Sequence, residues 1–257
     1  MDGTLTIDQD VADLETIRAC HERDVAVMPG CFTPTEMLRA WQAGIDVVCD
    51  GELYRFDINH PETNGMIEYF VRPMSGVRRD IEFSEWLEYS RGAGMRFRTR
   101  PPGVVAGPIG PGTLNLSLPC ARAKALASRP FKFTLTGPHM LAKTLHDRHY
   151  RSPEKLAHAL AGVLAGQVKH LDADVVQIDE ANLPGHPQEW KWAAAAMNKV
   201  LRAIPKRAQA AVHLCFGKRC IRSAIGMSRP DLRRAPLRRA RMPAFGSTTR
   251  RLLPPVR

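Results

Sequence analysis

No run of eighteen apolar residues occurs in the chain, so the sequence encodes no transmembrane helix. The first ten residues, Met1 to Asp10, are acidic and lack a basic segment ahead of an apolar stretch, so they are not expected to act as a secretory leader. The six cysteines (Cys20, Cys31, Cys49, Cys120, Cys215 and Cys220) never form a Cys-x-x-Cys pair. That scatter argues against a disulfide framework and for reduced thiols in a cytoplasmic protein. Aromatic residues are equally sparse toward the end. Residues 218–257 contain one, Phe245, which excludes a series of base-stacking platforms there.

What is present suits an enzyme-sized body. With 257 residues, 44% of them apolar, the chain can bury the core of one large α/β domain. The net charge of +11 is unevenly placed: residues 218–257 hold eleven Arg and one Lys against one Asp, which accounts for all of it. The expected organisation is therefore a neutral domain over residues 1–217 and an Arg/Pro-rich basic tail over 218–257 without regular structure. Such a tail attracts nucleic acid or other acidic surfaces non-specifically, by charge alone.

The body alternates helices with short strands. Residues 12–23 read as a helix with Leu14, Ile17 and Cys20 on one face, and Val25–Met28 as a strand stopped by Pro29-Gly30. A helix capped by Thr33 or Thr35 runs to Ala43, and the strand Asp46–Cys49 ends in Asp50-Gly51-Glu52. Residues 53–120 break this rhythm. Met66–Val71 reads as a helical turn or an edge strand, and 80–89 and 95–100 as short strands or a helical arm; a long insertion after a strand end usually covers a binding site. Regularity returns with a helix at 121–128, a strand at 131–136 and a helix opened by Ser152 as N-cap and Pro153 as first residue. A buried strand over 175–178, a helix over 188–204 and a strand over 210–214 complete the series. This is the pattern of a TIM (β/α)8-type barrel, incomplete at its C-terminal end.

Four strands end in polar signatures: Asp50-Gly51-Glu52, Thr136-Gly137-Pro138-His139, Asp179-Glu180 and His213-Leu214-Cys215. In a parallel barrel these tips meet on one face, where the chemistry resides. His213 and Cys215 stand two apart on a strand and share a side, as half of a zinc tetrahedron would. A core histidine beside a buried free cysteine fits the same spacing.

Taken together, several segments resemble the catalytic barrel of cobalamin-independent methionine synthase and its stand-alone relatives. They are Gly44–Glu52, Arg55-Phe56-Asp57 with Met66–Phe70, Lys132–Pro138, Val176–Glu180 and Val212–Gly217, spanning 44–217 in the family's order. The resemblance implies a zinc-dependent methyltransferase of methionine biosynthesis. Its donor is 5-methyltetrahydrofolate (polyglutamate), and its acceptor a small thiol such as homocysteine. Carried over, Glu52 and Asp179 hold the acceptor's amino group and serve as catalytic residues. Glu180, Asp50, Arg55 and Asp57 shape the substrate pocket, and His213 and Cys215 bind Zn2+. The family draws two further ligands, a Glu and a Cys, from later strands. After Gly217 this chain offers no Glu and only Cys220, so an incomplete zinc site is expected, and the change of text there resembles a shifted reading frame.

Residues 12–48 are also similar to keto-deoxy-phosphogluconate aldolases, through Pro29-Gly30 and Thr33-Pro34-Thr35-Glu36. Those enzymes carry a Schiff-base lysine on the following strand. Here that strand, 46–52, contains no Lys, and the Schiff base requires the amine.

Overall fold

The computed structural model describes residues 46–92, 98–127 and 129–214. The expected helix over 12–23, the strand Val25–Met28, the helix that ends before Gly44, part of the arm over 95–100, Cys215, Cys220 and the tail 218–257 lie outside the described residues.

β1 is Val48–Cys49, shorter than the sequence suggests, and leads into a 3-10 turn at Leu53–Arg55. The stretch Met66–Val71 resolves into a helical turn, α1 (Glu68–Val71), followed by β2 (Ser75–Arg78). The excursion beyond it is α2 (Phe83–Arg91). Its start is a reciprocal box: the Glu82 side chain accepts a backbone N–H of the first turn, and Glu85 accepts the Glu82 N–H at 3.0 Å. β3 (Val104–Gly110) and α3 (Ser117–Leu126) close the insertion. Then come β4 (Phe131–Thr136), α4 (Pro138–Thr144), β5 (His146–Asp147) and α5 (Pro153–Val168). Ser152 caps α5 as expected, its hydroxyl accepting the Lys155 N–H, with Pro153 at the first helical position. β6 (Val175–Asp179), two 3-10 turns (Leu183–Gly185 and Pro187–Glu189), α6 (Trp190–Leu201) and β7 (Gln209–His213) complete the series.

β1, β4, β6 and β7 lie side by side in that order, every pair parallel. β2, β3 and β5 form a separate sheet, antiparallel and then parallel. The parallel sheet is an arc that does not close on itself among the described residues. Its register sets Thr136, Asp179 and His213 in one row, so the strand tips share an edge.

Side chains alternate along β4 and β6, and the two faces differ. Phe131, Phe133, Leu135, Val176 and Ile178 join the core with Leu156, Leu160, Leu164 and Val168 of α5. Each of these fully buried side chains contributes about 1.5–3 kcal/mol relative to exposure. The other face carries Lys132, Thr134, Thr136, Gln177 and Asp179, all buried. β6 is thus enclosed on both sides, but its second face is polar from Gln177 onward. α5 packs between α4 and α6. Among the described residues no helix is long and apolar enough to cross a membrane.

Candidate functional site

The chain leaves β1 through two consecutive left-handed residues, Gly51 at φ 70° and Glu52 at φ 58°. Glycine adopts that conformation freely, whereas for Glu52 it costs about 1–2 kcal/mol. The strain folds the tip back on itself, so that Asp50, Glu52 and Arg55 meet over β4. Arg55 is buried and donates through Nη2 to Asp50 Oδ2 at 2.8 Å, to the Thr134 carbonyl at 2.6 Å and to Thr134 Oγ1 at 2.8 Å. Its Nη1 lies 3.6 Å from Glu52 Oε1. Tyr54 Oη donates to Asp50 Oδ2 at 2.7 Å. Thr134 Oγ1 stands 2.6 Å from Glu52 Oε1 and 3.0 Å from Asp50 Oδ1, joining the two carboxylates.

A guanidinium held this way satisfies charges that burial alone would penalise. Burial pushes the Asp50 carboxyl above its usual range, and Arg55 and the Tyr54 hydrogen bond pull against it. Burial would lower Arg55, but Asp50, Tyr54 and Glu52 outweigh it and keep the guanidinium charged. The cation also lies 5.2 Å from the centre of the Phe70 ring.

At the tip of β6 the two neighbouring acids part company. Asp179 points to the polar face, where its Oδ1 accepts from Gln177 Nε2 at 2.7 Å. Burial raises its pKa to about 6; the Gln177 hydrogen bond opposes this, Glu52 adds to it, and His213 and Arg55 counter it. Glu180 points the other way. It accepts the His139 N–H at 2.8 Å and the Met140 N–H at 3.0 Å, the free donors that open α4. Burial raises Glu180 to about 8, against the pull of those two N–H groups. The carboxyl lies so close to Gly137 that a Cβ there would fall 2.2 Å from Glu180 Oε1. Beyond it, His139 Nε2 pairs with Glu189 Oε2 at 2.7 Å and Lys143 donates to Glu189 Oε1 at 2.9 Å. Burial holds His139 below the usual imidazole range.

Of the residues singled out in the sequence, Asp50, Glu52 and Arg55 form one contiguous cluster, and Asp179 faces it across the polar side of the sheet. Glu180 belongs to the α4 cluster instead. Asp57 sits on an exposed turn, accepting the Asn59 N–H at 2.9 Å. His213 ends β7 in the row of Asp179, with its side chain exposed. Cys215 lies outside the described residues, which contain no group of three or more His, Cys, Asp or Glu able to hold a metal ion. A lone His213 falls short of the three or four ligands zinc requires. Thr134, Tyr54 and Gln177 were not singled out. Polar residues at alternate positions 132, 134 and 136, and 177 and 179, were the available signal.

The model of the cobalamin-independent synthase catalytic domain matches residues 34–226. The methionine synthase of Sulfurisphaera tokodaii is 29% identical over 182 residues, 68% of this chain and 48% of that protein. That of Sulfolobus acidocaldarius is 25% identical over 181 residues, 69% of this chain and 48% of that protein. The chain thus spans about half the length of the curated relatives it matches. Among solved structures, a B12-independent methionine synthase from a Shewanella species, in complex with selenomethionine, superposes with a TM-score of 0.54 at 22% identity. The match covers 86% of this chain and 57% of that one, and it shows a shared fold, of the TIM-barrel type.

Proposed function

The chain belongs to the cobalamin-independent synthase catalytic-domain family, and from that premise we propose that it serves methyl transfer from 5-methyltetrahydrofolate, with its polyglutamate tail, to the thiol of homocysteine, giving methionine. Glu52 and Asp179 hold the amino group of the acceptor. The observation that carries this reading is their convergence: Glu52, from the loop after β1, lies 2.6 Å from Thr134 Oγ1 of β4, and Asp179 ends the neighbouring strand β6 on the same polar face, both buried. Arg55 offsets Asp50 and Glu52 from one side, and a further cation, such as the α-ammonium of an amino acid, suits the place between Glu52 and Asp179. Arg55 and Thr134 anchor Glu52 from behind, and Asp50 balances the guanidinium.

The acceptor thiol is mostly protonated at neutral pH, and only its thiolate attacks. In this reading His213 and Cys215 would contribute two ligands to a zinc site, and a zinc ion held there would supply the chemistry that favours the thiolate. The sulfur forms its bond to the methyl carbon as the bond from that carbon to the folate nitrogen breaks, and the nitrogen takes up a proton.

Asp179→Asn is the test. Loss of the charged partner should weaken homocysteine binding by about 1.5–3 kcal/mol, seen by calorimetry. The parent's affinity should also fall as pH drops through about 6, where Asp179 gains its proton, and Asp179→Asn should lose that dependence. Equal affinity in mutant and parent removes Asp179 from the site.

A further inference from the structure

A hydrogen-bonded chain of three side chains runs beneath the strand tips. Lys132 of β4, 1% exposed, donates from Nζ to Gln177 Oε1 at 3.1 Å. Gln177 Nε2 in turn donates to Asp179 Oδ1 at 2.7 Å. Gln177 stands opposite Thr134 in the register, so its side chain reaches back toward Lys132 and forward toward the tip at once. The alternation of strand side chains sets all three on the polar face of the sheet.

Their chemistry permits one arrangement. An ammonium donates and has no lone pair to accept, so the carbonyl end of the Gln177 amide faces Lys132. The N–H2 end then faces Asp179, whose Oδ1 has to accept. A flipped amide would set N–H2 against the ammonium and C=O against the carboxylate, and both bonds would be lost. Hydrogen bonds to charged groups are stronger than those between neutral ones, so two of them hold one orientation firmly.

We propose that Lys132 and Gln177 are positioning residues for Asp179: Lys132 fixes the orientation of the Gln177 amide, Gln177 occupies Asp179 Oδ1, and Oδ2 is the oxygen turned to the substrate ammonium. Glu52 and Arg55 face Asp179 from the loop after β1, and His213 from β7. Those groups set the charge of the cleft; the amide sets the direction of the carboxylate. A carboxylate locked through one oxygen offers its other only to a donor, which disfavours an anionic group at that point and favours a cationic amine most. The assignment of Oδ2 to substrate rests on the homocysteine reading above, whereas the orientation of the amide does not.

The full-length protein allows both parts to be tested. In 15N-resolved NMR spectra without ligand, the side-chain N–H2 pair of Gln177 is identified by its loss in Gln177→Met. The expected result is a dispersed pair with slow hydrogen exchange in the parent. In Lys132→Met, exchange should rise at least about tenfold, as expected when about 1.4 kcal/mol of protection is lost. A rapidly exchanging pair in the parent, or an unchanged pair in Lys132→Met, overturns the proposal.

Calorimetry with homocysteine tests the second part. Gln177→Met should weaken binding by about tenfold. Gln177→Glu keeps the size of the side chain but turns oxygen toward Asp179, and should weaken binding more. Equal affinity in parent and folded Gln177 variants also overturns the proposal. A parent that binds no homocysteine, yet shows the locked amide, refutes the functional reading and leaves the positioning intact.

Discussion

Two groups of buried acids flank the same strand tips, and they are satisfied in different ways. On the polar face, Asp50 and Glu52 are joined to Arg55 and Thr134, while Asp179 accepts from Gln177 through one oxygen. On the side of α4, both oxygens of Glu180 accept backbone N–H groups, and Glu189 closes a network with His139 and Lys143. The Glu180 carboxyl is spent on the fold, since every acceptor it offers meets a donor that has nowhere else to go. Asp179 keeps Oδ2 without a hydrogen-bond donor among the described residues. Adjacent acids thus differ, Glu180 serving the fold and Asp179 being the one proposed to bind, because strand alternation sends them to opposite faces. Burial raises the pKa of both, so a raised pKa alone does not separate the two environments; the partners do.

The largest effect should come from Arg55→Met. It leaves Asp50 and Glu52 buried without their cation, which costs about 3–5 kcal/mol of stability and should appear as a lower midpoint in urea unfolding. Glu180→Ala should follow. It strands the two N–H groups that open α4, and a loss of about 2–3 kcal/mol is expected in the same measurement. Asp179→Asn should leave stability within about 1 kcal/mol of the parent, because the Gln177 bond survives on the Asn carbonyl. If Asp179→Asn unfolds the protein while Glu180→Ala leaves it unmoved, the division between the two acids is wrong.

The smallest effect is a change of slope. The folded protein holds the Glu180 proton up to about 8, above the usual 4.5, so it binds that proton more tightly than the unfolded chain. The sign follows: this contribution to stability is most favourable in acid and declines as pH climbs from about 5 through 8. Glu180→Gln carries no such proton and should lose that part of the decline. Urea midpoints at either end of the window measure it, and parallel curves for mutant and parent would count against a raised Glu180.

Much of the parallel sheet was legible because its strands are short apolar runs between clear punctuation. Phe131–Thr136 was read to the residue, β6 to within one residue at its end, and the start of α5 from Ser152 and Pro153 alone. α4 was missed. Its seven residues are buried almost throughout, so no polar stripe gives a helical period, and its opening relies on a distant acid, Glu180, in place of a local cap. The insertion was legible in outline, with Met66–Val71 as a helical turn or an edge strand and 80–89 as short strands or a helical arm, of which the structure takes the helical alternatives. α2 owes its start to the Glu82–Glu85 box, and β3 pairs with β2 across that helix, a contact no local pattern announces.

In the site, the acids at the tips were visible as motifs, but their division was not. Pairing Asp179 with Glu180 as pocket residues followed their adjacency, whereas period two separates them. Asp57 followed Arg55 in the same stretch, and a turn carries it to the surface. Thr134, Gln177 and Lys132 stayed hidden because each is an ordinary polar residue until the register sets it beside an acid.

The indole of Trp192 lies 4.9 Å, centre to centre, from the ring of His139. Protonated imidazoles quench indole emission at such range, whereas neutral ones leave it bright. Because burial keeps His139 below the usual imidazole range, Trp192 emission is expected to dim only on the acid side. The protein therefore carries its own optical gauge of the network around α4. With the other three tryptophans of the chain replaced, emission from Trp192 is expected to follow the protonation of His139 without any added label, a readout of the structural half of the strand tips independent of ligand binding.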